Sequence, residues 1–178
     1  MGRAFVFGDD VDTDAIIRAE HVTSADPDAL AAHAMGGADP TFAGRFEPGD
    51  VVVAGTNFGC GSSREHAALA LKGAGASAVV AESFARIFFR NAINVGLPAL
   101  RVESTAGISE GDALRVDVGE GSVTDETTGE VLRAASYPAF LRELVDAGGL
   151  IEYGRRLLAE GGEGPDGPAS RRAGTGGP

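Results

Sequence analysis

The sequence predicts an α/β fold with a parallel β-α-β core, on three observations. Residues 50–54 (DVVVA) and 77–81 (SAVVA) are short apolar runs with the length of buried strands and not of helices. Each is followed by a stretch of helical character, small-residue over 62–74 and amphipathic over 83–94. Strands alternating with helices in this way imply parallel pairing through right-handed crossovers.

Taken in chain order, residues 3–7 (RAFVF) read as a strand that runs into the acidic loop GDDVDTDAII. A helix opens at Asp26-Pro27, because Asp is a good N-cap and Pro is tolerated at the first helical position. It would carry Leu30, His33 and Ala34 and end at Gly36-Gly37. On the 83–94 helix, Phe84, Ile87, Phe88 and Ile93 form the expected apolar stripe, with Phe84, Phe88 and Phe89 as core. Residues 98–102, 113–118, 121–125 and 130–134 read as short strands between Gly-rich and acidic turns, and 138–158 as helical. Together, 1–160 make one domain. The stretch 161–178 has no large apolar residue to offset its ordering entropy and is expected to be a disordered tail.

Composition excludes several classes of function. The net charge is −11, and of the 15 basic residues only Lys72 is a lysine. Phosphate backbones need clustered cations, so nucleic acid is not an expected partner. No apolar run approaches the roughly 18 residues of a membrane span, and the opening MGRAFVFGDD lacks the apolar region and cleavage site of a secretory signal. A cytoplasmic location is expected, without a membrane partner. Cys60 is the single cysteine; one thiolate cannot hold a zinc ion or an iron–sulfur cluster.

Chemistry concentrates in GTNFGCGSSREHA, residues 55–67, at the exit of the 50–54 strand. Ser62-Ser63-Arg64-Glu65 fits a capping box, in which the serine accepts from the third helical amide and the glutamate reaches back. Capping does not account for Gly55, Gly59 and Gly61, which allow backbone amides to approach a ligand at the positive end of a helix. A dinucleotide fingerprint would use Gly59 and Gly61, with Glu82 about 20 residues on, but Arg64 stands where the third glycine belongs. A G-x-S-x-G elbow is absent. Asp10, Asp12 and Asp14 begin like a calcium loop, yet Ala15 and His21 occupy the positions that need Gly and Glu. Locally, Asp12 and Asp14 read as turn and capping residues, and His21 and His33 as an ordinary loop and a helix-face residue.

Together, DVDTDAII, GTNFGCGSSREHA and SFARIFFRNAINVGLP resemble the small subunits of 3-isopropylmalate dehydratases, equivalent to the swivelling C-terminal domain of the aconitase superfamily. The match runs in order from about residue 5 to 158 and includes GGLIEY at 148–153. The resemblance implies a β/β/α swivel domain, a large-subunit partner carrying a [4Fe–4S] cluster, and a small dicarboxylate substrate, with no cofactor bound by this chain. It implies that Ser62 removes a carbon-bound proton, that Arg64 binds a substrate carboxylate, and that Ser63 and Asp14 assist. It implies that His21, Val22 and Thr23, in the loop AEHVTS, face the variable part of the substrate. That loop lacks an arginine, which favours the isopropyl group of 2-isopropylmalate over a third carboxylate. Homoaconitate, citramalate and dimethylmalate dehydratases are the alternatives within the family, and a stand-alone anion- or nucleotide-binding module is the alternative outside it.

Overall fold

The structure is a computed structural model and describes residues 1–161. One seven-stranded sheet runs in the order β4-β3-β2-β1-β5-β6-β7. Its first half is parallel: β1 (Gly2–Val6), β2 (Val51–Ala54), β3 (Ala78–Ala81) and β4 (Ala99–Arg101). Its second half is antiparallel: β5 (Ala113–Asp117), β6 (Ser122–Asp125) and β7 (Val131–Arg133), joined to β1 through Gly2 and Leu114. The helices are α1 (Thr13–Ile16), α2 (Pro27–Ala31), α3 (Phe42–Arg45), α4 (Glu65–Gly73), α5 (Arg86–Val95), α6 (Ala139–Asp146) and α7 (Leu150–Gly161), with a 3₁₀ turn at Ala19–His21.

The central parallel strands β2 and β3 are buried on both faces, which explains their continuous apolar sequence. Phe5, Val52, Ala54, Val79 and Ala81 face one core, shared with Leu71 of α4 and Phe88 of α5. Ala4, Val51, Val53, Val80 and Leu100 face the other, closed by Leu114, Val123, Tyr137 and Leu144. Asp26 caps α2 by accepting the Asp28 amide at 3.1 Å, as its sequence predicts.

Four expectations need correction. The helix opened by Asp26 ends at Ala31, so His33 and Ala34 lie in the turns that follow it and not on the helix. The helix read over 62–74 starts only at Glu65, and Ser62 and Ser63 belong to the preceding loop. The acidic loop contains α1, opened by Asp12, which accepts the Ala15 amide at 2.7 Å. Ile87 is 49% exposed, because α5 starts at Arg86 and buries Phe88, Ala92 and Val95, an i, i+4, i+7 face that leaves residue 87 on its flank. Of the tail expected at 161–178, all but Gly161, the last residue of α7, lies outside the described residues.

Long-range polar contacts lock the frame. The single lysine, Lys72 of α4, donates to the Val95 carbonyl and, at 2.6 Å, to that of Gly148, so one ammonium satisfies carbonyls at the ends of α5 and α6. Tyr137, with its phenol pushed up to about 12 by burial, accepts the Ala99 amide at 2.7 Å and donates to the Ala99 carbonyl. Asp50, buried at the entry to β2, accepts from the Arg3 amide at 2.7 Å, Arg3 Nη2 at 2.8 Å and the Glu47 amide at 3.0 Å. Burial opposes its ionisation, but the Arg3 and Glu47 donors outweigh it and hold the carboxyl below its ordinary range.

A carboxyl lowered in the folded state stabilises fully above its unfolded pKa, and that stability is lost as pH falls through the folded value. Asp50→Asn should therefore cost about 1.5–3 kcal/mol at neutral pH, the range for hydrogen bonds to charged groups. It should also reduce the loss of stability below roughly pH 4. Urea unfolding at pH 7 and pH 3 checks both effects.

Candidate functional site

The site forms where the chain leaves the carboxyl ends of the parallel strands, the edge at which open α/β sheets bind ligands. Beyond β1 and β2 the two exit loops continue side by side. The Asp10 amide donates to the Thr56 carbonyl at 2.9 Å, the Gly59 amide to Val11 at 2.7 Å, and the Thr13 amide to Cys60 at 2.9 Å. On the other side Phe58 pairs with the exit of β3: its amide donates to the Ser83 carbonyl at 3.0 Å, and the Ala85 amide donates to Phe58 at 2.9 Å. The three sequence motifs, far apart in the chain, thus lie in adjacent strips.

Backbone strain marks the same loops. Asp10 and Asn57 both adopt positive φ, at 54° and 61°, and Asn57 Nδ2 donates to Asp10 Oδ1 at 2.7 Å. Non-glycine residues rarely hold that conformation without support from their surroundings. Asp9 contributes by accepting the Thr56 amide at 2.6 Å and its hydroxyl at 2.9 Å, which hold its carboxyl below the ordinary range.

Ser62 is exposed, and its Oγ lies 3.0 Å from Oγ1 of Thr13, a residue only 2% exposed. The serine therefore does not cap α4. Arg64 holds the N-cap position, and no side chain among the described residues caps the helix, so its first amides remain available to an anion. Arg64 is half-buried; its Nη1 pairs with Asp14 and donates to the Ile17 carbonyl at 3.2 Å. Asp14 thus fixes the guanidinium through one nitrogen and leaves Nε and Nη2 without a partner among the described residues. That edge is the one suited to a carboxylate fork. Ser63 is exposed between Ser62 and Arg64.

The structure therefore sets Ser62 against Thr13 and Arg64 against Asp14, two neighbouring contacts between the same two loops, with Ser63 lying between Ser62 and Arg64 in the chain. His21, Val22 and Thr23 form a separate corner. The His21 ring stacks on His33 with centroids 3.8 Å apart and planes 3° apart, Val22 packs against the first core, and Thr23 is exposed. Glu82, the residue a nucleotide reading needs for ribose, is spent on the chain: it accepts the Thr105 amide at 3.0 Å.

Thr13 is the site residue that sequence reasoning missed, and the signal was present. In VDTD, Val11 and Thr13 are buried while Asp10, Asp12 and Asp14 are exposed, an alternation that turns Thr13 inward.

The residues here do not suit an iron–sulfur cluster held by this chain. Cys60 is the one cysteine, and its thiol is pushed up by burial and by Asp10 and Asp12, which opposes the thiolate a cluster needs. Among the described residues no three His, Cys, Asp or Glu side chains gather in a metal-binding arrangement, and no helix is long and apolar enough to cross a membrane.

Comparison with known proteins identifies the family. The family model of the aconitase C-terminal domain matches residues 39–105, which contain both the serine loop and SFARIFF. The 3-isopropylmalate dehydratase small subunit of Moorella thermoacetica is 54% identical over 159 residues, 89% of this chain and 96% of that protein. The isopropylmalate/citramalate isomerase small subunit of Methanocaldococcus jannaschii is 52% identical over 160 residues, 89% of this chain and 95% of that protein. A crystal structure of a 3-isopropylmalate dehydratase from Methanocaldococcus jannaschii superposes with a TM-score of 0.85 at 45% identity, over 92% of this chain and 98% of that one. With about half of its residues shared over nearly the whole length, and the same fold, the chain belongs to the 3-isopropylmalate dehydratase small-subunit family of the aconitase superfamily.

Proposed function

We propose that this chain is the small subunit of a cytoplasmic 3-isopropylmalate dehydratase. Its partner is a large subunit carrying a [4Fe–4S] cluster, and together they convert 2-isopropylmalate to 3-isopropylmalate for leucine biosynthesis. Ser62 is the base. As an oxyanion it takes a proton from the methylene carbon; those C–H electrons form the double bond as the hydroxyl leaves the neighbouring carbon with its own pair, giving isopropylmaleate. Water then adds with the opposite orientation, hydroxyl to the former methylene carbon and hydrogen to the carbon bearing the isopropyl group.

The single observation that carries this reading is the 3.0 Å contact between the exposed Ser62 hydroxyl and the buried Thr13 hydroxyl, beside a guanidinium with a free edge. A threonine that donates to Ser62 stabilises the oxyanion, and the uncapped N-terminus of α4 and Arg64 add positive potential. The free edge of Arg64 binds a substrate carboxylate, Ser63 supports it, and Asp14 orients the arginine. His21, Val22 and Thr23 border the variable substituent, with Val22 and Thr23 suited to an isopropyl group.

The test is anaerobic assembly with the large subunit, followed by absorbance of the unsaturated intermediate from isopropylmalate, citramalate and homocitrate. Turnover of isopropylmalate is expected. Good turnover of another acid without it would overturn the substrate assignment. Citramalate is the second reading, because the Methanocaldococcus jannaschii relative carries both names.

Thr13 is a positioning residue in this scheme. Thr13→Val should lower kcat by roughly tenfold with little change in KM, the equivalent of one hydrogen bond. Thr13→Ser should restore most of it, an outcome that a role in packing alone would not give.

A further inference from the structure

A second concavity adjoins the site, between α5, the end of β4 and residues 135–141. It is a cleft of about 660 Å³ whose walls include Phe84, Phe89, Ile93, Tyr137 and Leu141. The Tyr137 hydroxyl is already taken up by Ala99, so this residue offers the cleft only its ring. Three arginines, Arg86, Arg90 and Arg101, line the same cleft. Arg101 Nε donates to the Glu82 carbonyl at 3.2 Å. Arg86 and Arg90 are exposed, one turn apart on α5, and neither makes an ion pair or a hydrogen bond among the described residues.

This is an unusual place for positive charge. The chain carries 26 acidic residues against 15 basic ones, yet these guanidinia gather on an apolar cleft and, among the described residues, pair with no carboxylate. Apolar surface continues past the arginines: Ile87 on α5 is 49% exposed and Phe140 on α6 is 53% exposed. Arginine and aromatic side chains around a concave apolar centre are the composition of a protein interface hot spot. The cleft also shares its edge with the catalytic loop, because Ser83 in its wall accepts the Asn57 amide at 2.8 Å.

We infer that this cleft is a docking site for the large subunit, which inserts an acidic segment. Its carboxylates pair with Arg86 and Arg90, and one of its apolar side chains fills the aromatic floor. The inference rests on the reading of the chain as a small subunit. It explains why Arg86 and Arg90 have no partner among the described residues of an acidic chain, and why Ile87, expected on the apolar stripe, is exposed.

The test measures the dissociation constant of the two subunits at low and high salt, for the wild type and for Arg86→Glu/Arg90→Glu. Wild-type assembly should weaken as salt rises. The double reversal should weaken assembly at low salt by at least about tenfold and flatten the salt dependence, as expected when attractive interface charges become repulsive. Arg86→Lys/Arg90→Lys should stay near wild type. Both side chains are exposed, so an unchanged melting curve of each variant chain separates docking from folding. A double reversal that assembles with the wild-type constant and salt dependence overturns the inference. The two readings fail separately: wild-type assembly with no turnover of any of the three acids would overturn the function and leave the docking site intact.

Discussion

Ser62→Ala, assembled with the large subunit, should turn over 2-isopropylmalate at least about a hundredfold more slowly than the wild type, with assembly unchanged and the melting temperature lowered by no more than about 2–4 °C. A positioned base typically contributes 10²- to 10⁴-fold in rate, or up to about 5 kcal/mol. The competing structural role, an N-cap, costs only ~1 kcal/mol when lost, and the geometry has removed it, because Ser62 lies outside α4 and bonds to Thr13. Removing the hydroxyl takes away the partner of the buried Thr13 hydroxyl, a loss of about 1 kcal/mol at this exposed position. A large loss of rate with little loss of stability is therefore the signature of chemistry. Steady-state kinetics and a thermal melt of the same preparation check it.

Gly59→Ala should have the largest effect on stability of any single methyl added in the site loops. Gly59 sits at φ +77°, and a Cβ there would fall onto the Phe88 ring, closer than real Cβ contacts come. Phe88 cannot yield easily, since it is 2% exposed and packs edge-on against Phe58 with centroids 5.1 Å apart. Left-handed backbone costs an alanine roughly 1–2 kcal/mol and overpacking a core adds about 1–3 kcal/mol, so the expected loss is about 2–5 kcal/mol. For a chain of this size that lowers the melting midpoint by roughly 5–15 °C. Gly61→Ala is the internal comparison. It has a similar φ of +90° but ordinary space around it, with Thr13 Oγ1 3.5 Å from the added carbon. It should cost only the backbone share, about 1–2 kcal/mol. Equal losses at both positions, measured by thermal denaturation, would show that Phe88 gives way.

The parallel half of the sheet was legible because its central strands are buried on both faces and so read as unbroken apolar runs between Gly-rich turns. The start of α4 was misread because Ser-Ser-Arg-Glu satisfies the local chemistry of a capping box, while tertiary contact with Thr13 recruits the serine for something else. Local pattern cannot register a partner 49 residues away. The Arg64–Asp14 pair, 50 residues apart, and the His21–His33 stack share that limit. The inward turn of Thr13 was different in kind, since the alternation that reveals it lies within five consecutive residues, hidden by their acidity. Ile87 shows a further limit: periodicity locates an apolar stripe, but the helix start sets which of its edges is covered, and an edge left bare can belong to a partner.

The central claim is that a serine oxyanion on this chain removes hydrogen from carbon, and the most direct measurement follows that hydrogen. With 2-isopropylmalate deuterated at its methylene carbon, release of label into water by the assembled enzyme should keep pace with formation of the unsaturated acid. With Ser62→Ala it should fall at least about a hundredfold while the substrate still binds. Label release at the wild-type rate from the Ser62→Ala complex would contradict the account, because another group would then be the base.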